Sequence, residues 1–160
     1  MNSVKKQIVE ALADLGITLP ETPKPGGSYV SVNVRGNIAY VAIQFPILGD
    51  KFLYTGKLGK DLSIQQGYDA ARLCALNTLA QIDKYVGFDK ILGLNHMDLY
   101  YQANETWDEG PLVANGASEL FMHALGPLGI HTRGILGVHS LPRNLSIGIT
   151  TSFTLVNTSI

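Results

Sequence analysis

The side chain with the clearest chemical potential in this sequence is Arg133, near the start of a run of β-branched and aliphatic residues over 131–142. Such a run predicts a buried strand, and Pro142 ends it because proline has no N–H to donate. Gly134 and Gly137 leave room for another backbone or for a ligand. A guanidinium in this place needs an acceptor, and a carboxylate can take two parallel N–H bonds from it. Arg133 therefore either pairs with an acid of the same or a neighbouring chain, or anchors the carboxylate of a ligand.

The composition indicates one compact domain over residues 1–160 and excludes several function classes. The hydrophobic fraction of 46% and charged fraction of 16% are typical of a globular protein that also buries surface in an oligomer. The 12 basic and 13 acidic side chains give a net charge of −1, without the basic stripe that nucleic-acid binding requires. The single cysteine, Cys74, excludes an internal disulfide and predicts a small buried residue on a helix. Because the pattern contains no signal peptide and no membrane span, we expect a cytoplasmic protein.

Hydrophobic periodicity predicts an alternation of strands and helices. An amphipathic helix capped by Ser3 covers 3–15, and a proline- and glycine-rich connector follows it. A longer helix covers 63–86, where Ser63 and Gln66 have capping-box spacing, and a third covers 112–125. Besides the Arg133 strand, strands are predicted over 29–34, 38–43, 90–100 and 146–156, with a short one over 52–58. This order is typical of an α+β layer with helices on one face of a sheet.

Several segments resemble, in their order and spacing, the RidA/YjgF family of reactive intermediate deaminases, which are also labelled endoribonuclease L-PSP. The resemblance covers residues 25–156 and is to the longer, divergent branch of the family. It is carried by the stretches 25–29, 36–44, 56–59, 70–77, 113–120 and 133–142. It implies a chorismate-mutase-like fold, in which two helices cover one face of a mixed sheet. The predicted N-terminal helix and connector, over 1–24, lie before the stretch that carries the resemblance. It also implies a homotrimer whose sheets form a central barrel, with sites in clefts between adjacent subunits.

The resemblance also assigns roles to particular side chains. The family's deaminases hydrolyse enamines and imines derived from amino acids, which requires a cation for the substrate carboxylate, a polar pocket and a positioned water. The anchoring arginine falls on Arg133, and a tyrosine at the start of the first strand falls on Tyr29. An asparagine before the second helix falls on Asn115, and an aromatic residue of the preceding loop falls on Trp107. Simpler roles stay open: a subunit-interface aromatic for Tyr29, a helix N-cap for Asn115 and interface packing for Trp107.

The sequence departs from the family at the position of the catalytic acid. The glutamate that is thought to orient the water falls on Thr150, and Gly148 replaces another usual acid two residues earlier. A threonine hydroxyl can bind a water, but it cannot act as a carboxylate base near neutral pH. General acid–base catalysis typically contributes about a hundred- to ten-thousand-fold. Thr150 is therefore the candidate catalytic residue only in the sense of holding the water.

Other residues are candidates to replace the missing acid. His131 is two residues from Arg133 on the same strand face, about 7 Å away, and is either a base or a solvated loop histidine. His139 shares that face but lies roughly 20 Å along the strand, too far for one small ligand. Glu119 follows Asn115 by one helical turn and either reaches the same cleft or is solvated.

These observations favour a small-molecule site without a metal or cofactor. The four histidines form no close-spaced ligand pair with a carboxylate in obvious reach, and neither a phosphate-binding glycine loop nor a nucleophile elbow is present. We expect a homotrimer that binds carboxylate-bearing imines, enamines or keto acids, and no nucleic-acid or membrane partner. The protein is then an imine or enamine deaminase without the family's glutamate, or a non-catalytic module that senses small carboxylates. The third alternative, an endoribonuclease, is disfavoured by the neutral charge balance.

Overall fold

The computed structural model describes residues 3–157 and contains one mixed five-stranded sheet with helices on one face. The strands are β1 (Val32–Arg35), β2 (Ile38–Gln44), β3 (Ile47–Leu48), β4 (Lys51–Phe52), β5 (Ile91–Tyr101), β6 (Thr132–Gly137) and β7 (Ile147–Leu155). The main sheet has the order β1-β2-β7-β5-β6, in which only the β5–β6 pair is parallel. The pair β3–β4 forms a separate short hairpin. This is the α+β layer that the sequence predicts.

The helices are α1 (Val4–Asp14), α2 (Ile64–Tyr85) and α3 (Gly110–Leu125). The inner face of the sheet is covered by α2 and α3, and α1 packs on α3. Ser3 caps α1 by accepting a hydrogen bond from the Lys6 N–H, and the predicted capping box of Ser63 and Gln66 begins α2. Alanines and other small side chains line the buried side of α2, so this helix lies close against both α3 and the sheet. None of the helices in the described residues is long and apolar enough to cross a bilayer.

The two faces of the sheet differ in chemistry, and the strand register decides which residues share a face. Arg133 is paired with Met97, and Met97 with Thr151; all three belong to the inner face that the helices cover. The neighbouring pair His96 and Thr132 belongs to the opposite face, which has no helix on it and is called the open face below. Side chains alternate along a strand, so residues one position apart point away from each other.

Three predictions of strand position are wrong in detail. The first strand begins at Val32 and not at residue 29, so Tyr29 precedes it. Residues 53–58 form only isolated bridges, and the hairpin of β3 and β4 precedes them. The Arg133 strand is an edge strand and not a buried one, because only β5 pairs with it, and Leu136 is 44% exposed. An aliphatic run predicts burial, but it cannot say whether the burial comes from this chain or from a second copy.

Candidate functional site

Arg133 lies on the edge strand β6, and its half-buried guanidinium points towards α3. Its Nη1 donates to Asn115 Oδ1 at 2.9 Å and to Ser118 Oγ at 3.1 Å. Both acceptors are neutral, and no Asp or Glu within residues 3–157 forms an ion pair with Arg133. The pairing of Arg133 with an acid of its own chain is therefore wrong. Its Nε and Nη2 groups make no hydrogen bond to the described residues, which leaves donors for an anion.

Asn115 and Ser118 reach Arg133 together because they lie three residues apart on one face of α3. The helix begins at Gly110, with a proline in its first turn, so Asn115 lies inside it. The expectation of an asparagine before the second helix, or at its N-cap, is therefore wrong. Ser118 was not singled out from the sequence, although its spacing from Asn115 is a signal that could have identified it. Its side chain is buried, with 4% of the residue exposed.

His131 is part of the same cluster. Its Nε2 lies 2.9 Å from Ser118 Oγ, and its Nδ1 lies 2.6 Å from the carbonyl oxygen of Gly129. The ring is half-buried and meets Phe121 edge to face, with centroids 6.1 Å apart. The interpretation of His131 as a solvated loop residue is therefore wrong. An imidazole, a hydroxyl and a guanidinium are connected by hydrogen bonds at one edge of the sheet.

Tyr29 lies in a different part of the chain from this cluster. Its hydroxyl accepts a hydrogen bond from the Gly26 N–H at 3.0 Å, and its ring lines a cavity of about 380 Å³ with Ile43, Phe45 and Arg143. This cavity lies at the end of β2, whereas Arg133 is on β6, and β7 and β5 run between them. At about 4.8 Å per strand the separation is roughly 14 Å. Within one chain, no small ligand touches both.

Trp107 packs inside its own chain. Its ring meets Tyr101 edge to face at a centroid distance of 5.0 Å, and its Cδ1 lies over Gly59, where no Cβ would fit. It is half-buried and belongs to the rim of the hydrophobic core. Nothing in this packing aims the indole at the guanidinium of Arg133.

Thr150 lies on the open face, opposite to the face that carries Arg133. Its cross-strand partner is Asp98, whose Oδ1 lies 2.8 Å from His96 Nε2. The other ring nitrogen of His96, Nδ1, lies 2.7 Å from Thr132 Oγ1. His96 therefore has a carboxylate within reach, a contact that was not singled out from the sequence. The signal was its spacing from Asp98, because residues two apart on a strand share a face.

Gly148, the other position at which the family resemblance predicts an acid, is surrounded by apolar side chains. A Cβ at this glycine would lie 2.7 Å from Ile43 Cδ1 and 2.7 Å from Phe45 Cε1. Cβ atoms are not found so close to their neighbours, so an acid at residue 148 requires both side chains to move. The absence of an acid here is thus built into the local packing.

Two other candidates lie outside the cluster. Glu119 accepts a hydrogen bond from the Tyr68 hydroxyl on the far side of α3, and this bond, with burial, raises the pKa of Tyr68. Glu119 is exposed and does not reach the Arg133 cleft. His139 lies beyond Gly137, where β6 ends, and so does not share the strand face predicted for it.

Cys74 is fully buried on α2, as predicted, and burial raises the pKa of its thiol, so it is not poised as a nucleophile. The described residues contain no grouping of three or more His, Cys, Asp or Glu side chains that could hold a metal ion.

Comparison with known proteins agrees with this fold. Residues 9–154 match the family described as "YjgF/chorismate_mutase-like, putative endoribonuclease". Protein TCP17 of Trypanosoma cruzi is 31% identical over 145 residues, which make up 89% of this chain and 91% of that protein. The crystal structure of Atu1372 from Agrobacterium tumefaciens, a protein of unknown function, is 33% identical with a TM-score of 0.89 and covers 96% of this chain and 95% of its own. A structure from Shewanella oneidensis MR-1, described as a putative endoribonuclease, is 29% identical with a TM-score of 0.90 and covers 96% of this chain and 100% of its own. The chain therefore belongs to the YjgF/chorismate mutase-like family.

Proposed function

We propose that this protein binds small carboxylates that carry an imine, enamine or keto group, and hydrolyses the imine or enamine with release of ammonia. The observation that carries this proposal is Arg133, a half-buried cation whose hydrogen-bond partners are the neutral oxygens of Asn115 and Ser118. A half-buried charge is costly without a counter-ion. A ligand carboxylate would supply the negative charge and two acceptors for the free guanidinium donors.

The proposed site lies between two copies of the chain. Arg133 is on an edge strand, where a second copy can approach, and Tyr29 lies too far away to act in the same chain. In our proposal Tyr29 of a second copy closes the cleft over the ligand, and Asn115 orients the guanidinium. Trp107 contributes only packing within its own chain. Thr150 holds a water only where a neighbouring copy covers the open face, as the barrel of a homotrimer would.

A binding titration with pyruvate tests the anchor. Isothermal calorimetry compares the wild type with Arg133→Ala, Arg133→Lys and the matched control Arg35→Ala, which removes an exposed arginine at the end of β1. Hydrogen bonds to charged groups contribute about 1.5 to 3 kcal/mol, so we expect Arg133→Ala to weaken binding by roughly 10- to 150-fold. Arg133→Lys restores only part of the affinity because lysine lacks the bidentate fork. An Arg133→Ala variant that binds pyruvate as the wild type does would refute the proposal.

Subunit complementation tests the position of the site between copies. Arg133→Ala and Tyr29→Ala are each expected to be defective, and the two are unfolded, mixed in equal amounts and refolded together. Random assembly gives about one quarter of the interfaces an intact Arg133 from one copy and an intact Tyr29 from the next. Recovery of about a quarter of the wild-type sites supports a shared site, whereas no recovery places both residues in the same copy.

The second candidate function is a non-catalytic sensor of small carboxylates. It is favoured by the open-face geometry, in which Thr150 replaces an acid and Ile43 and Phe45 fill the space beside Gly148. Ammonia release from freshly generated 2-iminopropionate separates the two: binding without turnover selects the sensor. The same preparation is incubated with RNA, and cleavage that disappears in Arg133→Ala would instead support the endoribonuclease.

A further inference from the structure

The hydroxyl of Ser118 joins the guanidinium of Arg133 and the imidazole of His131. It accepts a hydrogen bond from Arg133 Nη1 at 3.1 Å and lies 2.9 Å from His131 Nε2. With 4% of the residue exposed, Ser118 is shielded from bulk water by α3 and the sheet. A serine in this position bridges the proposed carboxylate anchor and an imidazole, the side chain most often used for proton transfer in catalysis.

The contacts of His131 define its tautomer. The carbonyl oxygen of Gly129 can only accept, so the His131 Nδ1 that lies 2.6 Å from it carries the proton. In the neutral ring Nε2 is then the free acceptor, and the Ser118 hydroxyl must donate to it. Ser118 thus points its proton at the imidazole and keeps a lone pair for Arg133 and another for a water. A backbone carbonyl holds the ring in this orientation, as a carboxylate does in other proton-transfer sites.

We propose that Ser118 and His131 form a proton relay for imine hydrolysis at the Arg133 site. The proposal rests on the proposed function and names the groups that replace the family's missing acid. It uses none of the acid positions lost at Thr150 and Gly148. It requires the carboxylate of the substrate at Arg133 and the imine carbon next to the hydroxyl of Ser118.

The substrate enters the reaction as a protonated imine. Water attacks the imine carbon, a C–O bond forms, and the π pair of the C=N bond moves to nitrogen. The proton that leaves the water passes to Ser118 Oγ while the hydroxyl's own proton passes to His131 Nε2. The relay returns this proton to the amino nitrogen. The C–N bond then breaks and its electron pair leaves with ammonia. An oxygen lone pair forms the carbonyl π bond as the carbinol O–H proton passes through Ser118 to His131 Nε2, and ammonia takes up this proton and leaves as ammonium.

The hydrogen bond between Ser118 and His131 also connects α3 to the start of β6. If these two residues only stabilised that connection, their replacement would lower pyruvate affinity and turnover together. A relay lowers turnover by about a hundredfold or more and leaves pyruvate affinity near that of the wild type, since Asn115 still holds Arg133. Exogenous imidazole restores part of the turnover of His131→Ala only if the ring transfers a proton.

The experiment measures pyruvate binding by calorimetry and ammonia release from 2-iminopropionate for Ser118→Ala, His131→Ala and His131→Gln. His131→Gln is included because removal of the whole ring beside Phe121 can impair folding. The control is His123→Ala, an exposed histidine that contacts the carbonyl oxygen of Ala11, away from Arg133.

We expect Ser118→Ala and His131→Ala to keep their affinity for pyruvate and to lose turnover. We also expect exogenous imidazole to restore part of the turnover of His131→Ala. Unchanged turnover, or affinity and turnover lost together without rescue, overturns the relay. A wild type that binds pyruvate but releases no ammonia overturns the relay and leaves the proposed carboxylate site intact. A wild type that does not bind pyruvate overturns both.

Discussion

Replacement of Thr150 by glutamate tests the division of the sheet into two faces. Because Thr150 is the cross-strand partner of Asp98, the new carboxylate would lie opposite an existing one on the open face. Directly opposed residues of an antiparallel pair have Cβ atoms about 4.5 to 5.5 Å apart, and like charges there are destabilising. We therefore expect Thr150→Glu to destabilise the fold, although it introduces the residue type that the family resemblance predicts at this position.

The loss of folding free energy in Thr150→Glu depends on the distance between the two carboxylates and on their exposure to solvent. Two unit charges about 6 Å apart repel by roughly 0.7 kcal/mol at the dielectric constant of water and about 3 kcal/mol at an effective value of 20. The Asp98 side chain is 35% exposed and contacts His96, so screening places the expected penalty near the lower end, at about 1 kcal/mol. A second copy that covers the open face would displace water and move the penalty towards the upper end.

The assay is urea unfolding at matched protein concentration, with Thr150→Gln as the neutral control of the same shape. The Glu variant is expected to unfold at lower urea than the Gln variant, and the gap is expected to shrink at high salt. In an Asp98→Asn background the two variants should be equal, because the repulsion has been removed. Equal stability of Thr150→Glu and Thr150→Gln in the wild-type background would refute the assignment of Thr150 and Asp98 to one face.

The further predictions concern the contact between α2 and α3 and the burial of Cys74 on α2. Gly116→Ala brings a Cβ against the backbone carbonyl of Tyr68 on α2, so thermal unfolding should show a loss of about 1 to 3 kcal/mol despite alanine's better helix propensity. Tyr68→Phe removes the hydrogen bond to Glu119 and should cost about 1 kcal/mol or less in urea unfolding near neutral pH. Because the folded state raises the pKa of Tyr68, the wild type should lose stability as the pH rises above about 10, and the Phe variant should lose less over the same range. Cys74, fully buried with a raised thiol pKa, should react with a thiol reagent only as the native protein unfolds, and fast labelling of the folded protein would contradict its placement.

The fold was predictable because local signals and the global pattern agree in most elements. Ser63 and Gln66 form the capping box that their spacing predicts, and Gly36 adopts the positive φ expected of a hairpin turn. Ser3 caps α1, as predicted, although the buried stripe of that helix includes Leu12 and leaves Leu15 exposed. The hydrophobic pattern predicts that α1 is a helix, but it does not predict which side of α1 faces α3.

The candidate site was less predictable because its parts are distant in sequence. Arg133 was identifiable as an unusual cation in an aliphatic run, but the pattern could not show that its acceptors come from α3. Ser118 looked like an ordinary small helix residue, and His131 looked like a loop histidine, until the contact of α3 with the start of β6 brought them together. The separation of Thr150 from Arg133 on opposite faces of the sheet was equally hidden, since a family position carries no information on which copy it faces.

The surroundings of Arg133 give a physical reason for a site shared between copies. Ile130 is 73% exposed and Leu136 is 44% exposed, so apolar side chains lie open along the edge strand that carries Arg133, and no strand of the described residues pairs with the outer edge of β6. Unprotected edges and exposed apolar groups are usually covered in native proteins. A second copy over this edge would remove water from around Arg133, which strengthens its attraction to a carboxylate and raises the cost of leaving the cleft empty. Assembly and ligand binding are then coupled through one guanidinium, because each makes the other more favourable.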